Sequence, residues 1–165
     1  MADFAITIYY YNPNIDTKLE FMRRAEELGK LKKFINFLEI VEEEYKPEEY
    51  DRAVLGLESL GEGSERCYKC YELRMRQTAK YAAENGYDVF TTTLSVSPYK
   101  KAGWIHEIGE KLAAEYGVAY LDEDFKKRDG YKRSLELSRE MGMYRQDYCG
   151  CRYSKIEAKK RKTTI

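Results

Sequence analysis

The four cysteines of this 165-residue chain fall into two close pairs. Cys67 and Cys70 form a C-x-x-C in "RCYKCYELR", and Cys149 and Cys151 form a C-x-C in "YRQDYCGCRYS". Paired thiols can hold a metal, close a disulfide or carry electrons. At a helix start, the C-x-x-C spacing puts both sulfurs on one face, where they can share one metal centre. A helix N-terminus also favours the thiolate that ligation or redox chemistry needs. The bland alternative is two inert buried cysteines, and the polar neighbours Arg66, Lys69 and Glu72 weigh against it.

Cys149 and Cys151 call for a different argument. Alternate residues of an extended chain point the same way and lie roughly 6.6 Å apart, from the strand rise per residue. That is near the upper limit for bridging, so a disulfide needs a bend, which Gly150 permits. So small a ring is strained and easily reduced, as a catalytic rather than a structural bond should be. The alternative is that all four cysteines bind one zinc, but 78 residues separate the pairs, unlike the local spacing of zinc ribbons.

Other side chains narrow the chemistry. His106 is the sole histidine. In "GWIHEIGEKL", beside Trp104, Ile105 and Ile108, it reads as a partly buried structural imidazole on a helix packed against a sheet. One histidine excludes multi-histidine metal sites and an H-E-x-x-H protease. The serine-hydrolase G-x-S-x-G, the dinucleotide G-x-G-x-x-G and the phosphate-loop G-x-x-x-x-G-K-[ST] patterns are absent. The loop "TTTLSVSPYK" offers Thr92, Thr93, Ser95, Ser97 and backbone amides, and reads as ligand-facing.

The elements that must position these residues alternate between strand and helix. "AITIYYY" (5–11) reads as a buried strand ending at the turn "NPN". Residues 17–36 place Leu19, Met22, Ala25, Leu28, Leu31 and Ile35 at helical spacing. A strand over 37–41, a helix over 47–56 opened by Pro47, and a helix over about 67–84 follow. Then come a strand at 87–92, a helix over about 101–116, a strand at 118–121 and a helix over about 131–141. This order predicts an α/β layered, Rossmann-like fold with a mostly parallel sheet, forming a single domain over 1–154 with a basic tail at 155–165. Ligands of such sheets bind beyond the carboxyl ends of the strands, here "YNPNI", "TTTLSVSPYK" and "DEDFKKRDGYKR".

The charge is balanced, 29 bases against 29 acids, so net charge names no partner. Its distribution is uneven. Residues 39–51 hold seven acids against one lysine, residues 124–133 five bases against two acids, and residues 152–165 six bases against one acid. Clustered bases can meet a phosphate backbone or simply form a solvated face. No stretch reads as a membrane span or export signal, so the expected location is the reducing cytoplasm.

Five segments, in order and spacing, resemble the epoxyqueuosine reductase QueH family: "YNPNI", "RCYKCYELR", "FTTTLSVSPYK", "DFKKRDGYKRSLELSRE" and "YRQDYCGCRYS". The resemblance runs from about residue 5 to residue 154. It implies a reductase that converts epoxyqueuosine to queuosine at the wobble position of tRNA, the last step of queuosine biosynthesis, without cobalamin. It further implies that Cys67 and Cys70 are ligands of a 4Fe-4S iron–sulfur cluster, that Cys149 and Cys151 are a redox-active pair, and that an additional mononuclear metal ion assists. The partners implied are tRNA carrying epoxyqueuosine and an electron donor. By position, Asp124, Asp147 and Tyr148 are candidate proton donors, and Lys126, Lys127, Lys132 and Arg145 candidate tRNA contacts. The family opens with a further strand ending in a C-C-x-P-C-like motif. "MADF" stands in that place here, so the expectation is that the first strand and its cluster ligands are missing from this chain. Two rival readings are a zinc-stabilised RNA-binding module without catalysis and a cytosolic thiol–disulfide oxidoreductase.

Overall fold

A computed structural model describes residues 4–163; residues 1–3 and 164–165, which include most of "MADF" and the last residues of the expected tail, lie outside the described residues. The elements run β1 (Thr7–Tyr10), α1 (Lys18–Leu31), β2 (Glu39–Glu42), α2 (Pro47–Ala53), α3 (Glu65–Glu84), β3 (Val89–Phe90), α4 (Ala102–Tyr116), β4 (Ala119–Tyr120), α5 (Gly130–Glu140) and α6 (Arg152–Thr163). The alternation is that of an α/β layered fold. The strands form two parallel pairs: β1 beside β2, with Thr7 opposite Glu39, and β3 beside β4, with Val89 opposite Ala119. The chain divides into two compact units, one of residues up to Glu49 together with those from Ser138 onward, the other Tyr50–Leu137.

In the first unit, the aromatic side chains after β1 make the core. Tyr10 packs on Phe21 at 4.9 Å between ring centroids, and Phe21 on Tyr45 at 5.0 Å. The polar ends of these rings are satisfied, since Tyr10 donates to the Phe21 carbonyl at 2.9 Å and Tyr45 to the Ile15 carbonyl at 2.6 Å. The buried face of α1 therefore runs through Phe21, Ala25 and Leu28. Leu19 and Met22, expected on that face, point outward at 80% and 47% exposure. The helix stops at Leu31 rather than 36, and Ile35 lies in the turn beyond it.

In the second unit, α3 turns Tyr71, Met75, Ala79 and Ala82 inward against Ile105, Ile108 and Leu112 of α4, with Phe90 and Val118 beneath. The 4-4-3 spacing is that of one helical face. Gly109 lets α4 approach β4 closely: a Cβ there would come within 2.3 Å of the Tyr120 ring. Across the outer side, Glu72 of α3 pairs with Lys111 of α4 at 3.0 Å and with Arg76 at 3.3 Å.

Of the expected basic tail, 155–165, residues 155–163 lie in α6. The helix escaped periodicity because it buries only two small side chains, Ser154 and Ala158. No helix among the described residues is long and apolar enough to cross a membrane.

Candidate functional site

The C-x-C pair is built by the first unit. Beyond β1, the chain turns at Asn12, whose carbonyl accepts the Ile15 N–H at 3.3 Å. Thr17 then caps α1, its Oγ1 accepting the Glu20 N–H at 3.2 Å. This leaves Asp16 at the carboxyl end of β1, where its N–H donates to the Gly150 carbonyl at 3.0 Å. About two helical turns further on, Arg24 donates from Nη1 to the Cys149 carbonyl at 3.1 Å. Both carbonyls of the Cys-Gly segment are thus held by residues from the other end of the chain.

Gly150 is required twice over. Its φ of 133° is closed to most side chains, and a Cβ would meet Arg24 Nη1 at 3.0 Å, Asn14 Nδ2 at 3.3 Å and Ile15 Cγ1 at 3.4 Å. The predicted bend at Gly150 is present. The picture of an extended strand is replaced, because Cys151 opens α6. Its carbonyl accepts the Lys155 N–H at 3.1 Å and its Sγ the Ser154 N–H at 3.3 Å. The sulfur fills the N-cap role that a serine or aspartate oxygen usually takes. Cys151 is buried and Cys149 half-buried, and neither is in a disulfide.

Asp16 also ties down both flanks of the pair. Tyr148 donates to its Oδ1 at 2.9 Å, and Lys155 to its Oδ2 at 2.6 Å. Burial alone would raise the Asp16 carboxyl, but the hydrogen bonds from Lys155 and Tyr148 and the lysine charge overcome it and hold the group below the usual carboxylate range. Burial and the same hydrogen bond push the Tyr148 phenol well above its ordinary value. Asn14 is buried beside this loop, and its Oδ1 has no hydrogen-bond partner. Asp16, Arg24, Ser154 and Lys155 did not stand out in the sequence. Asp16 meets its partners across 132 and 139 residues, and no local pattern encodes that.

The C-x-x-C pair sits at the head of α3 in the second unit. Both thiols are buried, and the Gly63 N–H donates to Cys67 Sγ at 3.3 Å. Arg66, between loop and helix, is 2% exposed and donates from Nη1 to the Glu58 carbonyl at 3.1 Å and to the Leu60 carbonyl, fastening the glycine-rich loop to the helix start. Lys100 lies 3.9 Å from Glu62 of that loop and 5.6 Å above the Tyr71 ring. Tyr68 donates to Glu107 at 2.8 Å, and that hydrogen bond, with burial, pushes its phenol up to about 12. The donor set has the right chemistry for an iron–sulfur cluster, since thiolates one turn apart with an N–H aimed at one sulfur are what such clusters use. The fit is to two of four ligands. Among the described residues, no group of three or more His, Cys, Asp or Glu side chains is arranged to hold one metal ion.

Several expected site residues have other employment. Ser95 is 2% exposed and joins the loops after β3 and β4, donating to the Glu123 carbonyl at 2.9 Å and accepting the Phe125 N–H at 3.2 Å. Thr92 and Ser97 accept local N–H groups from Leu94 and Tyr99. The hydroxyls of this loop shape the backbone. His106 is not buried: its side chain is 53% exposed, with Nδ1 2.9 Å from Asp122. Asp124 accepts from Lys126 at 2.7 Å, and that hydrogen bond holds its carboxyl below the usual range. Asp147, bonded to Lys162, is held low in the same way. Two of the three candidate proton donors are therefore ionised, engaged carboxylates that carry no proton to give. Lys127, Lys132 and Arg145 are exposed, whereas the Lys126 charge is already matched by Asp124.

An α/β framework with one thiol pair heading α3 and another heading α6 defines a protein with two close cysteine pairs. Comparison with known proteins narrows that class. The family profile of epoxyqueuosine reductase QueH matches residues 1–157. The chain is 41% identical over 160 residues to epoxyqueuosine reductase QueH of Streptococcus pyogenes serotype M1, covering 93% of this chain and 63% of that relative. It is 36% identical over 160 residues to the Thermotoga maritima protein of the same name, covering 95% and 83%, and 38% identical over 154 residues to that of Dehalococcoides mccartyi, covering 93% and 81%. The chain belongs to the epoxyqueuosine reductase QueH family, and it spans a little under two thirds of the streptococcal relative's length.

Proposed function

We propose that this protein reduces epoxyqueuosine to queuosine at the wobble position of tRNA, in the cytoplasm. The observation that carries this reading is the family match across residues 1–157, which includes both cysteine pairs. The reaction removes the epoxide oxygen as water: both carbon–oxygen bonds break, a carbon–carbon double bond forms, and two electrons and two protons are consumed. Cys149 and Cys151 supply the two electrons by closing a disulfide, and an external donor restores the dithiol. Their placement supports this role: they flank Gly150 on a loop held by Asp16 and Arg24, with Cys151 buried and Cys149 half-buried.

Cys67 and Cys70 are assigned as two thiolate ligands of a 4Fe-4S cluster, with the Gly63 N–H as a supporting donor to sulfur. When bound, such a cluster supplies one-electron transfer, and an additional metal ion would supply a Lewis acid for the departing oxygen. Asp124 and Asp147 are held ionised and Tyr148 has its phenol pushed up and its O–H engaged by Asp16, so Tyr148 stands as a proton source only by its place next to Cys149. Lys127, Lys132 and Arg145 are exposed and meet tRNA phosphates.

The test is anaerobic purification, metal and sulfide analysis, and incubation with epoxyqueuosine-containing tRNA, followed by nucleoside mass spectrometry. Iron with sulfide and conversion to queuosine is the expected result. Zinc without conversion would replace this reading with an RNA-binding module, and turnover of protein disulfides without any metal would replace it with a thiol–disulfide oxidoreductase.

A further inference from the structure

The segment around the cysteine pair is tied by a network that converges on one residue. Asp16 makes three contacts to the segment 148–155. Its backbone N–H binds the carbonyl of Gly150, its Oδ1 receives the Tyr148 hydroxyl, and its Oδ2 receives the Lys155 ammonium. Tyr148 directly precedes Cys149, and Lys155 is the residue whose N–H binds the Cys151 carbonyl. One carboxylate therefore grips the loop on both sides of the two sulfurs, while its own amide holds the middle.

Two cationic side chains close the network. Arg24 lies 5.2 Å from the centre of the Tyr148 ring and binds the Cys149 carbonyl, and Lys155 lies 5.6 Å from the same ring. Arg24 is itself fixed by Glu20 at 2.8 Å. Asp16 and Arg24 are nearly buried, at 10% and 11% side-chain exposure, so these charge-assisted bonds are shielded from solvent far better than a surface ion pair.

We propose that Asp16 is a positioning residue that sets the redox balance of the Cys149–Cys151 pair by stabilising the open dithiol. The inference rests on the reading of that pair as redox-active. Closing the disulfide breaks two S–H bonds and forms one S–S bond, releasing two electrons and two protons to the oxidant. The new ring redirects the Cys149, Gly150 and Cys151 backbone, which in the dithiol is tied by the Asp16 and Arg24 bonds, and turns the sulfur that caps α6 into a poorer acceptor for the Ser154 N–H. Bonds matched to the open form resist closure and ease re-reduction. Asp16 thus keeps the disulfide oxidising, which suits a pair that must be re-reduced every cycle.

The experiment equilibrates the full chain with glutathione buffers of graded ratio, traps thiols by alkylation, and quantifies the Cys149–Cys151 disulfide peptide by mass spectrometry. In this assay, oxidised glutathione takes the two electrons and becomes two thiols. Asp16→Asn is expected to shift the equilibrium toward disulfide by about tenfold, equivalent to about 30 mV. Tyr148→Phe and Lys155→Met each remove one arm and are expected to shift it in the same direction by less; they carry the test if Asp16→Asn does not fold. A disulfide that forms in the wild type with an equilibrium unchanged within twofold in these variants, at intact thermal unfolding, would overturn the inference alone. A wild type that never forms this disulfide would overturn the redox reading and the inference with it.

Discussion

Arg24 binds the carbonyl oxygen of Cys149 at 3.1 Å across 125 residues of sequence, so the cysteine loop is positioned by the helix that follows β1. The space between them leaves no room for a side chain on the neighbouring glycine. Gly150→Ala would place its Cβ 3.0 Å from the Arg24 guanidinium and force a positive φ on an L residue. The variant should lose about 1–3 kcal/mol in denaturant unfolding. Its thiols should also react faster with alkylating reagents, as the loop lifts off. Unchanged unfolding with unchanged thiol reactivity would contradict this account of the loop.

Gly109→Ala tests the second unit in the same way. The added methyl would sit 2.3 Å from the Tyr120 ring, so helix and strand must separate or the ring must move. Overpacking of this kind costs about 1–3 kcal/mol, enough to lower the melting temperature by several degrees. The double variant with Tyr120→Leu should recover part of the loss; no recovery would place the strain elsewhere.

The two cysteine pairs should separate chemically. Cys67→Ser is expected to lower iron and sulfide content after anaerobic reconstitution. Cys149→Ser should keep its iron and lose turnover. Equal iron loss in both would favour a shared four-cysteine site.

Much of this framework could be read from periodicity. The inward face of α3 announces itself through Tyr71, Met75, Ala79 and Ala82, and β1 through its run of β-branched and aromatic residues. In α1, two helical stripes compete, and aromatic packing decides between them. Phe21 wedged between Tyr10 and Tyr45 outweighs Leu19 and Met22, which stay exposed. Helix α6 was invisible because its buried positions are Ser154 and Ala158, too small to signal a face. The Asp16 network was invisible for another reason: electrostatic partners that meet across the length of a chain leave no spacing to detect.

The proposed tRNA contacts should reveal themselves through salt. Each phosphate contact removed should reduce the slope of log affinity against log salt by about 0.7–0.9. Alanine at Lys127, Lys132 or Arg145 should do this. Alanine at Lys126 should change the slope less, because Asp124 already neutralises that charge at 2.7 Å. Equal slopes in all four variants would leave these bases as a solvated face.

Stability should depend on pH through the Asp16 network, with a definite sign. The Asp16 carboxyl is depressed in the folded chain, so its contribution is full above the ordinary carboxylate pKa of about 4 and fades as pH falls through the lower folded value. The Lys155 ammonium is raised, first by its hydrogen bond to Asp16, so its contribution is full below about 10.4 and fades as pH rises through the higher folded value. Between about pH 5 and 9 the network should be insensitive to pH. Asp16→Asn should flatten both limbs in urea titrations, and a variant that keeps the wild-type acid limb would assign it to other carboxylates.

The first unit draws on both ends of the described chain, while the second is one continuous run, Tyr50–Leu137. During synthesis, at about 5–20 residues per second, the continuous unit can complete its core as soon as that run has emerged. The other unit has to hold β1, α1 and β2 waiting until Tyr148 and Lys155 arrive to meet Asp16. Asp16 and Arg24 are thus made well before their partners, and the cysteine loop can dock only once residues 148–155 have emerged. Reagents or oxidants that meet the nascent chain would find Cys149 and Cys151 unguarded, and a disulfide formed too soon would have to be reduced before the loop could seat.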